Sequence, residues 1–307
     1  MSDPTTTMHA GAFSPGTQVV IESPVMHANG EILHPRGAVG VVERATAEGR
    51  YLIRFIDGYE TVLPLTGFSI RSHKAEEKLR EGGGGMAGFN SYIIYRCVIG
   101  SRAYGLDHEA SDTDRRGFYL PPADLHWSIY GIPQQLEDTA TQECYWEIGK
   151  FVTLALKANP MILECLYSPL VEYAAPAAEA ILESRDIFLS RLVYQTYNGY
   201  VISQFRKMQR RSEATGEISW PHAMHLVRLL GVGLGILRDG TPNMQVGDLR
   251  ERLLAIKRGQ VPWAEVDAWR LDLHRQLDAA FRACRLPEHP DYETANILLI
   301  AARRSAL

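Results

Sequence analysis

Glycines 82–85 form an unbroken run of four, and no other feature of this 307-residue sequence limits the fold as strongly. Without Cβ atoms such a run neither sustains a helix nor packs as a strand, so it predicts a flexible linker that divides the chain. The charged residues before it (His73, Lys74, Glu76, Glu77, Lys78, Arg80) carry the boundary backwards, and the linker is expected over 76–90. A chain of this length with 46% apolar residues has enough material for two or three cores. The expected division is a small domain over 1–75, a mixed domain over 91–180 and a helical domain over 181–307.

The first segment reads as short strands near 17–21, 37–42, 51–55 and 61–63, with Asp57-Gly58 supplying a tight hairpin turn. Close spacing of so many strands predicts a small β-barrel, and the run Arg54-Phe55-Ile56-Asp57-Gly58-Tyr59-Glu60 resembles SH3-like and Tudor-like barrels. That resemblance implies an interaction module for an unknown ligand; no catalytic constellation lies in the segment.

Beyond the linker, a strand over 91–99 runs into Gly100-Ser101, a second strand lies near 113–120, and a third opens at Glu143. Apolar residues at Ile148, Phe151, Val152, Ala155 and Leu156 have helical spacing, closed by Asn159-Pro160. Further helices are expected over 187–211, 221–237 and 262–283. A strand that ends in Gly-Ser and turns into a short helix can offer backbone N–H groups to a phosphate, with the serine hydroxyl as a further donor. Asp112 and Asp114 are two residues apart, so on an extended strand both carboxylates share a face. Neighbouring carboxylates repel unless a cation lies between them, and phosphoryl transfer uses such a cation. Glu143 is the expected third carboxylate, with Glu137 and Asp138 as alternatives in the preceding loop.

Gly-Ser followed after ten residues by Asp-x-Asp is the signature of polymerase β-type nucleotidyltransferases. The longer blocks Gly100-Ser101-Arg102-Ala103-Tyr104-Gly105-Leu106, Ser111-Asp112-Thr113-Asp114-Arg115-Arg116-Gly117, residues 146–169, His222-Ala223-Met224-His225 and residues 286–299 resemble the RNA-repair-associated polymerase β-like family, RlaP, over about 91–307. The resemblance implies an α+β fold: a minimal nucleotidyltransferase domain followed by a helical domain. It implies a nucleoside triphosphate as substrate, magnesium or manganese as cofactor, and action on RNA. Gly100 and Ser101 would hold the triphosphate with Arg102 and Arg116 beside them, and Asp112 and Asp114, with Glu143, the metal. Adenylylation of a protein or small molecule, or a lapsed nucleotide-binding protein, would use the same residues.

Other residues suit substrate contact. Lys150 and Lys157 lie two helical turns apart, and Arg206, Lys207, Arg210 and Arg211 form a basic cluster suited to a phosphate backbone as well as to a solvated helix face. His225, between His222 and Arg228 at three-residue steps, suits either substrate contact or a satisfied surface position. The net charge of −4 supplies no broad field for nucleic acid, so any polyanion site must be local. No apolar run reaches the roughly 18 residues of a membrane span and no basic leader opens the sequence, so a cytoplasmic protein without membrane partners is expected. The four scattered cysteines match no zinc-ligand spacing.

Overall fold

The computed structural model describes residues 13–27, 29–46, 49–70, 86–108, 111–138 and 140–307. The glycine run and most of the expected linker lie outside the described residues. The chain divides into two compact units, one within 1–84 joined by 129–131, the other over 85–128 and 132–307.

The first unit contains β1 (Gln18–Ile21), β2 (Val25–Met26), β3 (Ile32–His34), β4 (Val39–Ala45), β5 (Arg50–Phe55), β6 (Glu60–Pro64) and β7 (Phe68–Ile70). Alternation in β5 sends Tyr51, Ile53 and Phe55 inward, where they meet Val19, Ile21, Val42 and Phe68. At the Asp57-Gly58 turn Gly58 takes φ +85°, and the Tyr59 amide donates to Asp57 Oδ1 at 3.1 Å. The strands pair antiparallel in the order β6-β5-β4-β1-β7, with β2 and β3 as a separate hairpin. Strand β6 pairs only with β5 and β7 only with β1, so the described sheet is open with two edges. The expected small SH3-like or Tudor-like barrel is thus not confirmed: local strand propensity produces the hairpins, but among the described residues the two end strands do not pair to close the sheet.

The second unit is built on a mixed sheet in the order β10-β11-β9-β8-β12, from β8 (Ile93–Ile99), β9 (Asp114–Tyr119), β10 (Gln135–Asp138), β11 (Glu143–Glu147) and β12 (Val171–Ala174). All neighbours are antiparallel except β9 and β11. Helix α1 (Ala123–Trp127) lies between β9 and β10. Helices α2 (Ile148–Leu156), α3 (Pro160–Tyr167) and α4 (Pro176–Glu183) interleave with the last strands. Then come α5 (Leu192–Thr215), α6 (Trp220–Asp239), α7 (Arg250–Lys257), α8 (Trp263–Ala283) and α9 (Tyr292–Arg304).

The two faces of this sheet have different partners. Tyr95, Cys97, Phe118, Cys144 and Trp146 face the main core, packed with Phe151 and Ala155 of α2 and Leu163 and Cys165 of α3. Ile93, Tyr119, Leu136 and Tyr145 face a smaller cluster with Phe89. A register irregularity between Ile93 and Tyr95 lets one strand serve both faces. The Tyr95 hydroxyl donates to the Cys165 carbonyl at 2.6 Å and the Ser168 hydroxyl to the Val98 carbonyl at 2.6 Å, fastening β8 to α3 and the residue after it. Asn159 and Pro160 close one helix, as the sequence suggests, and also open the next. The Asn159 side chain accepts from the amides of Met161 and Ile162, and Pro160 occupies the first turn of α3.

Gly117 permits the closest approach in the sheet. A Cβ there would lie 1.9 Å from the Tyr95 carbonyl oxygen and 3.2 Å from the Arg96 Cα, both backbone atoms of β8. Neither atom can rotate away. Gly117→Ala is expected to lose about 3 kcal/mol or more in a denaturant titration, because strand separation is the only relief.

Candidate functional site

Strand β8 ends at Ile99, which pairs with Asp114, the first residue of β9. Gly100 follows with φ +71°, a left-handed conformation that L side chains adopt at a cost. Its missing side chain has a second use: a Cβ at Gly100 would lie 2.8 Å from Asp114 Oδ2, so glycine lets the turn lie against that carboxylate. Residues 100–105 form successive turns, with the Tyr104 amide donating to the Gly100 carbonyl at 3.3 Å and the Leu106 amide to the Ser101 carbonyl at 2.8 Å. The short helix expected after Gly100 takes the form of these turns, because Gly105, at φ +68°, ends the coil after one revolution.

Arg102 joins the two halves of the site. Its Nη2 donates to the Ser111 carbonyl at 2.7 Å and its Nε to the Asp112 carbonyl at 3.3 Å, while Nη1 lies 3.6 Å from Asp107 Oδ2. Gln142 meets them from the loop before β11. Its side-chain amide donates to Asp112 Oδ2 at 3.4 Å and its carbonyl accepts from Arg116 Nη1 at 2.5 Å. Arg116 Nη2 is 3.5 Å from Asp114 Oδ1. Gln142 has φ +57°, one of two non-glycine residues with positive φ among the described residues. Such strain is characteristic of functional positions. Nothing in the sequence marks Gln142; only the fold brings it to Asp112.

Strand alternation decides which other residues join. Register pairs Ile99 with Asp114, Cys97 with Arg116 and Tyr95 with Phe118, so Asp114 and Arg116 lie on the face covered by α2 and α3. Cys144 pairs with Arg116, and Glu137 with Cys144, which puts Glu137 on that face too. Glu143 pairs with Arg115 and lies on the opposite face. There Glu143 Oε2 accepts from the Tyr145 hydroxyl at 2.7 Å, and Arg115 lies between it, at 3.9 Å, and Glu172, at 2.9 Å. The structure therefore does not bring Glu143 to the aspartate pair. Asp138 pairs with Glu143, and its side chain accepts from the Ala140 and Thr141 amides, which hold its carboxyl below the usual carboxylate range.

Lys150 donates to Gln135, which also donates to Glu137, a chain on the aspartate face of β10. Arg206, Lys207, Arg210 and Arg211 are exposed along the second half of α5, and Arg206 lines a cleft of about 280 Å³ with Phe205, Trp263 and Arg270. Lys157 is exposed at the end of α2. His225 lies on α6, where Arg228 Nη2 donates to its Nδ1 at 3.0 Å. Arg228 is buried with Glu164 at 2.9 Å, and its guanidinium carbon lies 3.5 Å from the centroid of the Tyr104 ring. The turn that begins at Gly100 thus rests on a buried arginine of the helices. Its far end is held as well, since Arg250 donates to the Gly105 carbonyl at 2.8 Å.

Magnesium is typically held by one or two protein carboxylates together with substrate phosphates rather than by an all-protein cage. Asp112 and Asp114 suit that role, and the absence of a side chain at Gly100 keeps the turn close against the Asp114 carboxylate. Among the described residues no group of three or more His, Cys, Asp or Glu is arranged to hold a metal by itself.

A strand ending in Gly-Ser beside a strand opening on a carboxylate, on a sheet backed by helices, is the arrangement of the polymerase beta class. Residues 73–301 match RlaP, the RNA repair pathway DNA polymerase beta family, and the chain belongs to this family. Uncharacterized protein YcgL of Bacillus subtilis (strain 168) is 34% identical over 90 residues, which cover 27% of this chain and 33% of that protein. The match thus spans about a third of the curated relative's length. No solved structure matches the chain. Among the described residues no helix is long and apolar enough to cross a membrane.

His225 generates a pH prediction. In the unfolded chain it titrates near pH 6.5. In the folded protein burial, then the charge of Arg228, then His222, pushes its pKa down to about 3. The unfolded chain therefore binds this proton more readily, so the contribution to stability is complete above 6.5 and is lost as pH falls toward about 3. Urea unfolding between pH 7 and 5 should show a pH slope shallower by about one proton in His225→Asn than in the wild type.

Proposed function

We propose that this protein is a metal-dependent nucleotidyltransferase that transfers a nucleoside monophosphate to a hydroxyl of RNA. The observation that carries the proposal is the placement of Gly100 against Asp114, with Arg102 fastening the Asp112 loop to the same turn. Phosphates of the triphosphate lie along the backbone of Gly100 and Ser101, and the Ser101 hydroxyl donates to them. A divalent cation held by Asp112 and Asp114 would supply charge neutralisation of the phosphates.

The chain's own residues set the geometry. Gln142 orients the Asp112 carboxylate, Arg116 offsets the charge of Asp114, and Arg102 keeps the two loops in register. An acceptor hydroxyl attacks the α-phosphorus in line. The new oxygen–phosphorus bond forms as the bond to the bridging oxygen breaks, pyrophosphate leaves, and a carboxylate of the pair takes the acceptor's proton. Glu137, on the same sheet face, replaces Glu143 as the proposed third acid. An RNA acceptor is favoured by membership of an RNA repair family and by the exposed basic stretch of α5. The N-terminal sheet is proposed as an interaction module.

The test is transfer from each α-labelled triphosphate to RNA, to total protein and to small molecules, with magnesium or chelator. Label on RNA that needs the metal and disappears in Asp112→Asn is the expected outcome. Label on protein instead would make the enzyme an adenylyltransferase, and no label anywhere would refute catalysis. Gly100→Ala and Gly105→Ala separate backbone strain from site geometry. Both are expected to cost about 1–2 kcal/mol of stability through their left-handed φ. Only Gly100→Ala, whose Cβ meets Asp114, should also reduce transfer at least about tenfold; a Cβ at Gly105 meets nothing within 4 Å.

A further inference from the structure

Strand β11 starts at Glu143, level with Arg115, and ends at Glu147, level with Tyr119. Helix α2 follows at once and packs Phe151 on Phe118, and Asn159 then caps the start of α3. A cavity of about 160 Å³ opens there, lined by Asn159, Met161, Glu164, Tyr200, His225 and Leu229. It adjoins the phosphate turn through a short chain of contacts. Glu164 lies 2.9 Å from Arg228 Nη2, and Arg228 stacks at 3.5 Å over Tyr104 of the turn.

The walls of this cavity are chemically specific. Glu164 is only 6% exposed, and its Oε1 lies 2.9 Å from Arg228 Nη2, a buried carboxylate on the cavity wall. His225 supplies the complementary group. The guanidinium of Arg228 has only donors, so Nδ1 of the neutral ring must accept and the ring proton sits on Nε2. Tyr200, Met161 and Leu229 add flat and apolar surface. A carboxylate on the wall disfavours a phosphate, whereas an acceptor and a donor beside an aromatic ring suit a nucleobase, whose Watson–Crick edge carries a donor next to an acceptor.

We propose that this cavity is the base subsite of the enzyme: it receives the nucleobase of the triphosphate whose phosphates lie along Gly100 and Ser101. The inference rests on the transferase proposal but is separable from it. Glu164 and His225 read the base edge, and Tyr200 stacks on its face.

The experiment is calorimetric titration of the full chain, in magnesium, with ATP, GTP, CTP, UTP and inorganic tripolyphosphate. Wild type is compared with Tyr200→Ala, Tyr200→Phe and Met161→Trp. Tyr200 and Met161 are 39% and 44% exposed, so these variants are expected to fold, as thermal unfolding will show. Tyr200→Ala and Met161→Trp should weaken the preferred triphosphate at least about fivefold, while tripolyphosphate binds as before and Tyr200→Phe retains wild-type affinity. Variants that bind the triphosphate as wild type does would overturn the base subsite and leave the phosphate site intact. Equal wild-type affinity for tripolyphosphate and every triphosphate would do the same. A wild type that binds neither would overturn the phosphate site and the base subsite together.

Discussion

Among the described residues of the second unit one cation, Arg228, is buried. Arg228 leaves water to sit between the Glu164 carboxylate and the face of Tyr104, and burial and the neighbouring carboxylate push the Tyr104 phenol up, so the ring stays neutral against the guanidinium. Removing an arginine from water costs several kcal/mol, which only a well-placed anion and an aromatic face offset. The three partners come from separate elements: the turn after β8, helix α3 and helix α6. The position of the phosphate turn is thereby tied to the helices, and Arg250 repeats the tie at Gly105.

The sheet keeps two sets of charges apart. One face of β9 carries Asp114 and Arg116 toward the helices, and the other carries Arg115 toward Glu143 and Glu172. Consecutive residues of like charge thus work on opposite sides of the strand without competing for the same carboxylates. The Arg115 cluster is a partly exposed cross-strand ion pair network, the kind of contact that contributes little to stability but helps to define which strands are neighbours.

Much of this arrangement is legible in the sequence, and the parts that are not share a cause. Gly100, Ser101, Asp112 and Asp114 stand out as candidates because Gly-Ser and Asp-x-Asp are local patterns joined by a short connection. The strands around them and the long helices α5, α6 and α8 follow from local apolar periodicity in the same way. Glu143 was the natural third carboxylate on chain position alone. Its face, however, is set by the register of β11 on β9, and a shift of one residue reverses every side chain. Gln142 and the Glu164–Arg228 pair depend on contacts 30 and 64 residues apart in sequence, which no short pattern encodes. The N-terminal barrel is not confirmed for a related reason: hairpins are local, whereas closure requires the first and last members of the sheet to meet.

Gly117 acts as a ratchet stop for β9. The Tyr95 carbonyl occupies the space where a side chain would begin, and the flanking residues are Arg116 and Phe118, neither of which can enter it. Sliding β9 by one position in either direction would set a side chain against the Tyr95 carbonyl, and that overlap opposes the shift. The alternation of Asp114, Arg115 and Arg116 is consequently read in one frame only. A residue with no functional group thus helps to fix which arginine faces the aspartate and which faces away.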